Sequence, residues 1–172
     1  MNGAGYAIGI VFGIVITLFL IRIWNKDGKM KTRYDEMQEK TRGKAYMYGF
    51  WTIMSVEAVL VVIISSDIRL PFDQISLHII PILIGITVQA SYSIWNGAYM
   101  GMNTNIKRFA IISTTVALVN ILCAVGAFAG GGMIKDGVFE FPIINLFIGV
   151  MFVIIAGECL IKNGMDRKVK ED

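Results

Sequence analysis

Five long apolar blocks constrain this chain more than any other feature. They cover residues 3–24, 45–65, 75–99, 109–129 and 142–161. Each is close to the length of about 20 residues at which a helix crosses a bilayer. Since a backbone in lipid must satisfy its own hydrogen bonds, each block predicts a transmembrane helix. We therefore expect an all-α polytopic transmembrane helical bundle of about five spans, with residues 1–172 forming a single transmembrane domain.

The composition agrees with a membrane protein. Hydrophobic residues make up 55% of the chain and charged residues 17%, and a soluble domain has no need of so much apolar surface. Although the net charge is +3, the basic residues flank the apolar blocks. We therefore expect them to contact the headgroups of the lipid bilayer, and we expect no binding of nucleic acid.

Lysine and arginine are distributed very unequally between the two sides of the predicted bundle. Of the 16 lysine and arginine residues, all but Arg69 and Lys135 fall at the cytoplasmic ends of the spans, in the connections 25–44 and 101–108, or in the tail from 162 to 172. The positive-inside rule then predicts an outside N-terminus and a cytoplasmic C-terminus. Because basic residues follow the first block and do not precede it, we expect a retained span and not a cleaved signal.

The first basic connection predicts a short amphipathic cytoplasmic helix over about residues 30–42. Met30, Tyr34, Met37 and Thr41 recur at helical spacing. Thr32 and Asp35 resemble a capping pair, and Gly43 is expected to end the helix or bend it into the next span. We expect the helix to lie at the membrane interface. A solvated linker helix is the alternative.

Polar residues inside the blocks are the candidate site. Glu57 lies within the second block, where a carboxylate is costly unless it faces the bundle interior or a water-filled cavity. The third block carries a stripe of polar residues at helical spacing, and the fourth adds one more at a depth similar to that of Glu57. The intramembrane polar cluster therefore comprises Glu57, His78, Gln89, Ser93, Asn96 and Asn120. It either lines a pathway or joins helices by hydrogen bonds.

Two further patterns concern contacts between side chains. Gly5, Gly9 and Gly13 form a row in the first block, and glycines at this spacing allow a second helix to approach closely. Glu158 precedes Lys162 by four residues, which predicts an ordinary ion pair within one helix.

Catalytic motifs are missing from the sequence. His78 is the single histidine, and Cys123 and Cys159 are far apart inside apolar blocks. The glycine run 130–132 lacks the lysine and hydroxyl residue of a phosphate-binding loop. We therefore expect neither enzymatic activity nor a metal or cofactor.

The stretch Tyr34-Asp35-Glu36-Met37-Gln38, followed by Thr41-Arg42-Gly43-Lys44-Ala45-Tyr46, resembles a segment that precedes a span in uncharacterised small bacterial polytopic membrane proteins. That segment carries an Asp-Glu-x-Gln and Arg-Gly-Lys-Ala pattern. The resemblance implies a bacterial cytoplasmic membrane and carries no activity with it.

These observations favour a small integral membrane protein that acts by association. It would be a subunit or accessory of a membrane complex, or a homo-oligomer, because its loops are too small for a catalytic domain. The alternative is a small transporter or channel with a polar intramembrane pathway around Glu57.

Overall fold

The computed structural model describes residues 32–102 and 104–171, together with the single positions Val15, Leu18 and Arg22. The chain divides into two compact units, Met1–Arg33 and Tyr34–Asp172. The first predicted span lies largely outside the described residues, and its glycine row, Gly5, Gly9 and Gly13, lies wholly outside them. Both stay predictions from the sequence.

The unit Tyr34–Asp172 is helical. Its helices are α1 (Glu36–Ser65), α2 (Gln74–Trp95), α3 (Ile106–Ala129) and α4 (Ile143–Glu171). Each of these four contains a segment long and apolar enough to cross a membrane. The all-α class is therefore confirmed for the described part of the chain, with four of the predicted spans present as helices.

Helix α1 corrects one prediction. Residues 32–35 are not helical, and the helix then runs without a break from Glu36 to Ser65, so residues 36–42 are part of this long helix and not of a separate short one. Gly43 does not interrupt it, because a glycine inside a helix costs only about 1 kcal/mol and leaves the backbone hydrogen bonds intact. The N-cap is Asp35, which forms a capping box with Gln38. This differs from the capping pair of Thr32 and Asp35 that the sequence pattern predicted.

The length of α1 separates it into two parts. Its 30 residues extend about 45 Å at the rise of an α-helix, whereas the hydrocarbon core of a bilayer is about 30 Å thick. The first turns carry charged and polar side chains, including Glu36, Lys40 and Arg42, and the later turns are apolar. Only the later turns suit a hydrocarbon environment.

The helices pack in a series in which α2 lies between α1 and α4, and α4 lies between α2 and α3. Helices α1 and α2 come into close contact at Gly49 and Gly85, where a Cβ atom placed on either glycine would come within 2.9 Å of the other's carbonyl oxygen. Gly149 of α4 similarly lies against Ile121 of α3. The seam between α2 and α4 is filled by a buried apolar cluster of Ala90, Ile94, Met151, Ile155 and Cys159.

The two ends of this unit differ in charge. One end, called the basic end below, comprises the start of α1, the end of α2, the start of α3 and the end of α4. The opposite end holds the connections 66–73 and 130–142. Among the described residues, Arg69 and Lys135 are the only lysine and arginine residues in the connections of the opposite end.

A small hairpin orders the glycine-rich connection between α3 and α4. Strands β1 (Ile134–Lys135) and β2 (Val138–Phe139) pair antiparallel around Asp136 and Gly137, both of which have positive φ. An Asp-Gly pair suits this turn because both central residues must be left-handed. The Phe139 ring stacks on Phe72, and the Asp73 amide donates to the Phe139 carbonyl at 2.8 Å. The hairpin therefore joins the two connections of the opposite end.

The Gly49–Gly85 contact predicts a large effect from one methyl group. Gly85→Ala would place its Cβ against the Ile53 side chain and 2.8 Å from the Gly49 carbonyl oxygen. We expect it to push α1 from α2 and to lower the free energy of unfolding by about 1–3 kcal/mol. Unfolding of the full chain in detergent micelles, followed by circular dichroism, measures this.

Gly43→Ala is the matched control, because no atom lies within 4 Å of a Cβ placed on Gly43. Alanine there adds helix propensity, so we expect unchanged or slightly higher stability. Equal effects of the two substitutions would contradict the close approach at Gly85.

Candidate functional site: a carboxylate–histidine pair between two helices

Glu57 and His78 meet across the seam between α1 and α2. Their positions follow from the antiparallel packing, since Glu57 lies two turns before the end of α1 and His78 lies in the second turn of α2. The His78 Nδ1 atom is 3.2 Å from Glu57 Oε2 and 3.4 Å from Oε1. Of the other members of the predicted polar cluster, His78 is the one that the structure places beside Glu57.

The pair is partly open to its surroundings. The Glu57 side chain is 28% exposed and that of His78 is 54% exposed. A neutral imidazole with its hydrogen on Nδ1 donates one hydrogen bond to the carboxylate, and a protonated imidazole forms an ion pair with it. The geometry can therefore hold a proton between two helices.

A metal centre is a weaker interpretation of this pair. Two side chains leave most of a metal's coordination sphere unfilled. No group of three or more histidine, cysteine, aspartate or glutamate side chains that could hold a metal ion occurs within residues 32–102 and 104–171.

The other members of the predicted polar cluster do not join the pair. The Ser93 hydroxyl donates to the Gln89 carbonyl at 2.9 Å, and the Asn96 amide donates to the Tyr92 carbonyl at 2.8 Å. In both hydrogen bonds the acceptor is the backbone carbonyl four residues earlier in α2. The Gln89 side chain packs against the backbone of Gly49 at the α1–α2 crossing. Ser93 and Asn96 therefore stabilise α2 itself, and Gln89 contributes to the packing of α2 against α1.

Asn120 lies on a helix that does not pack against α1. Its amide donates to the carbonyl of Val116, one turn earlier in α3, at 2.9 Å. Helix α3 packs against α4, and α2 and α4 separate it from α1 in the series of helices. A similar depth in the sequence therefore did not place Asn120 beside Glu57.

The predicted pair of Glu158 with Lys162 is wrong. The Lys162 ammonium instead binds Asp166, one turn further along α4, with Nζ 2.9 Å from Oδ1. The Oε2 atom of Glu158 is buried and has no hydrogen-bond partner within the described structure. Both carboxylates lie four residues from Lys162, so spacing alone did not select between them.

The start of α1 forms a second cluster of polar contacts, at the basic end. Gln38 Nε2 donates to the carbonyls of Gly97 at 2.8 Å and Met100 at 3.2 Å. The hydroxyl of Tyr34 is 3.5 Å from the Tyr99 carbonyl oxygen, to which it donates. These bonds tie α1 to the connection between α2 and α3.

Arg42 stabilises the same region through contacts with two tyrosines. Its guanidinium carbon lies 3.8 Å from the centre of the Tyr34 ring, and its Nη2 donates to the Tyr46 hydroxyl at 3.1 Å. A guanidinium over an aromatic face is attracted by the negative face of the ring. The segment that carries the resemblance thus has a structural role in joining α1 to residues 97–100. The sequence signal that was missed is the Asp35–Gln38 capping box, which fixes where α1 begins.

A cavity of about 110 Å³ opens beside this cluster. It lies between the end of α2, the start of α3 and the last turns of α4. Its lining residues are Ile94, Gly97, Tyr99, Met100, Ile106, Cys159, Lys162, Asn163 and Asp166. Burial, with a smaller effect from Cys159, raises the pKa of Tyr99 to about 12, so its phenol stays protonated at neutral pH and can donate a hydrogen bond.

Neither a protein-family model, nor a curated protein, nor a solved structure matches this chain. The resemblance of residues 34–46 to small bacterial membrane proteins therefore stays a prediction.

The geometry predicts that Glu57 and His78 are energetically coupled. Glu57→Leu removes the carboxylate and should destabilise the chain, whereas Glu57→Gln keeps a polar partner for the ring and should stay close to the wild type. In a double-mutant cycle, Glu57→Leu combined with His78→Leu should cost less than the sum of the single changes. Unfolding in micelles gives the coupling free energy.

Asn120→Ala provides the control for this cycle. Because Asn120 bonds only the backbone of its own helix in the described contacts, its effect should add to that of Glu57→Leu. Coupling of Glu57 to Asn120 as strong as its coupling to His78 would contradict the observed pairing.

Proposed function

We propose that this protein is a small multi-pass membrane protein that acts by association, either with itself or as an accessory subunit of a membrane complex. The observation that carries the proposal is the packing of α1. Among its 30 residues only Ala45 and Gly49 are buried, and α2 is its one extensive packing neighbour among the described helices. Within the described part of the chain α1 therefore has one packed seam, and its other faces are open to a partner.

The exposed side chains of α1 suit a membrane-embedded contact. Phe50, Trp51 and Met54 are each about half exposed or more, and the Phe50 and Trp51 rings meet edge to face. Aromatic residues and methionine are enriched in protein interfaces. In a monomer these side chains would face lipid, and in an oligomer or complex they would face the partner helix.

The polar side chains of α2 and α3 support association over transport. Ser93, Asn96 and Asn120 bond the backbone of their own helices. A transport pathway requires polar groups that converge on a shared cavity, and these groups do not converge.

A small transporter or channel is the second candidate, favoured by the Glu57–His78 pair. A carboxylate and an imidazole 3.2 Å apart can take up and release a proton between helices. In this alternative the pair would couple proton movement to a change in the α1–α2 seam.

The proposed placement has five spans, with the N-terminus outside and the C-terminus in the cytoplasm of a bacterium. It is supported by the charge difference between the two ends of the described helices and by the basic residues that follow the first apolar block. Reporter fusions at Asp136 and Asp172 should report opposite sides of the membrane, with Asp172 inside. Cytoplasmic signals from both positions would contradict this topology.

One set of reconstitution experiments distinguishes the two candidate functions. If association is the function, the purified chain should form a defined oligomer or copurify with a membrane partner, and Gly9→Ile should weaken that contact because a branched side chain keeps helices apart. Gly126→Ile is the control, since nothing lies within 4 Å of a Cβ at Gly126. Crosslinking and the size of the particle in nanodiscs measure both.

Proton flux into liposomes measures the second candidate. If association is the function, Glu57→Gln should leave association intact and wild-type liposomes should show no flux above empty ones. A flux that Glu57→Gln abolishes, in a chain that stays monomeric, would contradict association and support transport.

A further inference from the structure

The cavity at the basic end lies where a lipid headgroup would be. Tyr34, Tyr46, Tyr48, Tyr92, Trp95 and Tyr99 are located at this end of the described helices, together with most of the basic residues. Tyrosine and tryptophan concentrate at the membrane–water interface, and lysine and arginine concentrate on its cytoplasmic side. If the chain spans a membrane as proposed above, the cavity opens at the level of the cytoplasmic headgroups.

The walls and the mouth of the cavity differ in chemistry. Ile94, Met100 and Ile106 supply apolar walls, whereas Lys162, Asn163 and Asp166 on the last turns of α4 supply polar groups. Lys162 and Asp166 form an ion pair at 2.9 Å, and the Asp166 side chain is 55% exposed. One positive and one negative group therefore stand side by side at the opening.

This ion pair contributes little to the fold. It joins two residues of one helix, and pairs of this kind stabilise a helix only weakly. It does not connect α4 to another helix. Both charges can therefore exchange partners with a ligand at small cost.

The size and the charges restrict the ligand. A volume of about 110 Å³ suits a small polar group and not an acyl chain. A purely anionic group would be attracted by Lys162 and repelled by Asp166. A group that carries a phosphate and an ammonium together satisfies both side chains.

We propose that this cavity binds the phosphate–ammonium group of phosphoethanolamine, presented by a phospholipid headgroup. The phosphate contacts the Lys162 ammonium and the Asn163 amide, and the ligand ammonium contacts the Asp166 carboxylate. The Tyr99 phenol is a further hydrogen-bond donor in the same cavity. This inference rests on the proposed membrane placement and does not depend on whether the chain associates or transports.

Native mass spectrometry of the full chain from detergent micelles tests the site. The probes are short-chain phosphatidylethanolamine, short-chain phosphatidylglycerol and water-soluble phosphoethanolamine. We expect one phosphatidylethanolamine per chain, bound about tenfold more tightly than phosphatidylglycerol, as expected for one charged contact worth about 1.4 kcal/mol. Competition by phosphoethanolamine at equal concentration would support the same chemistry with a soluble source, and its failure to compete would support the lipid.

Variants separate binding from structure. Lys162→Met should weaken phosphatidylethanolamine binding about tenfold, and Asp166→Asn should abolish the preference over phosphatidylglycerol. A purely structural ion pair would leave that preference unchanged when Asp166 is replaced. Lys135→Met, at the opposite end of the bundle, is the matched control and should bind as the wild type does.

Two results would overturn the proposal. One is equal binding of the two lipids by the wild type, and the other is an unchanged preference in Asp166→Asn. Carbonate extraction of membranes is measured in parallel. Release of the chain by carbonate would contradict the membrane placement itself, whereas indifference to the lipid in a retained chain would contradict the headgroup site alone.

Discussion

The close approach of α1 and α2 at Gly49 and Gly85 sets the arrangement on which the other contacts depend. Each glycine lies so near the other's carbonyl oxygen that a side chain on either would force the helices apart. This crossing fixes the antiparallel register. Toward the opposite end it brings Glu57 to His78, and toward the basic end it brings Gln38 to Gly97. Both polar contacts at the ends of the α1–α2 seam therefore depend on the absence of side chains at Gly49 and Gly85.

The same register explains why the Glu57–His78 pair is only partly sheltered. Gln38 precedes Gly49 by eleven residues, close to three full turns, and so lies on the face of α1 that meets α2. Glu57 follows Gly49 by eight residues, which places it at the edge of that face. The carboxylate is consequently 28% exposed beside an imidazole that is 54% exposed. Paired carboxylate and imidazole groups within membrane-spanning helices are typical of proton pathways, which is why this pair supports the transport alternative.

The basic end combines three structural features. Gln38 and Tyr34 anchor the start of α1 to residues 97–100, Arg42 braces that anchor through two tyrosines, and a cavity opens beside it. Because the anchor holds the connection between α2 and α3 in place, it also shapes one wall of the cavity, which includes Gly97, Tyr99 and Met100. The proposed headgroup site and the segment 34–42 are thus structurally linked.

The sequence by itself determined the helical class, the approximate position of the four described helices and the charge difference between their ends, because apolar length and charge placement are local properties of the chain. It did not determine that α1 continues through Gly43, that Asp136 and Gly137 turn a hairpin, or that Lys162 binds Asp166 and not Glu158. For Glu57, the sequence placed His78, Gln89 and Asn120 in the same polar cluster without selecting a partner. Only the tertiary structure selected among them, since which helices are neighbours, and in what register, depends on the close approach at Gly49 and Gly85 and not on any periodicity within one helix.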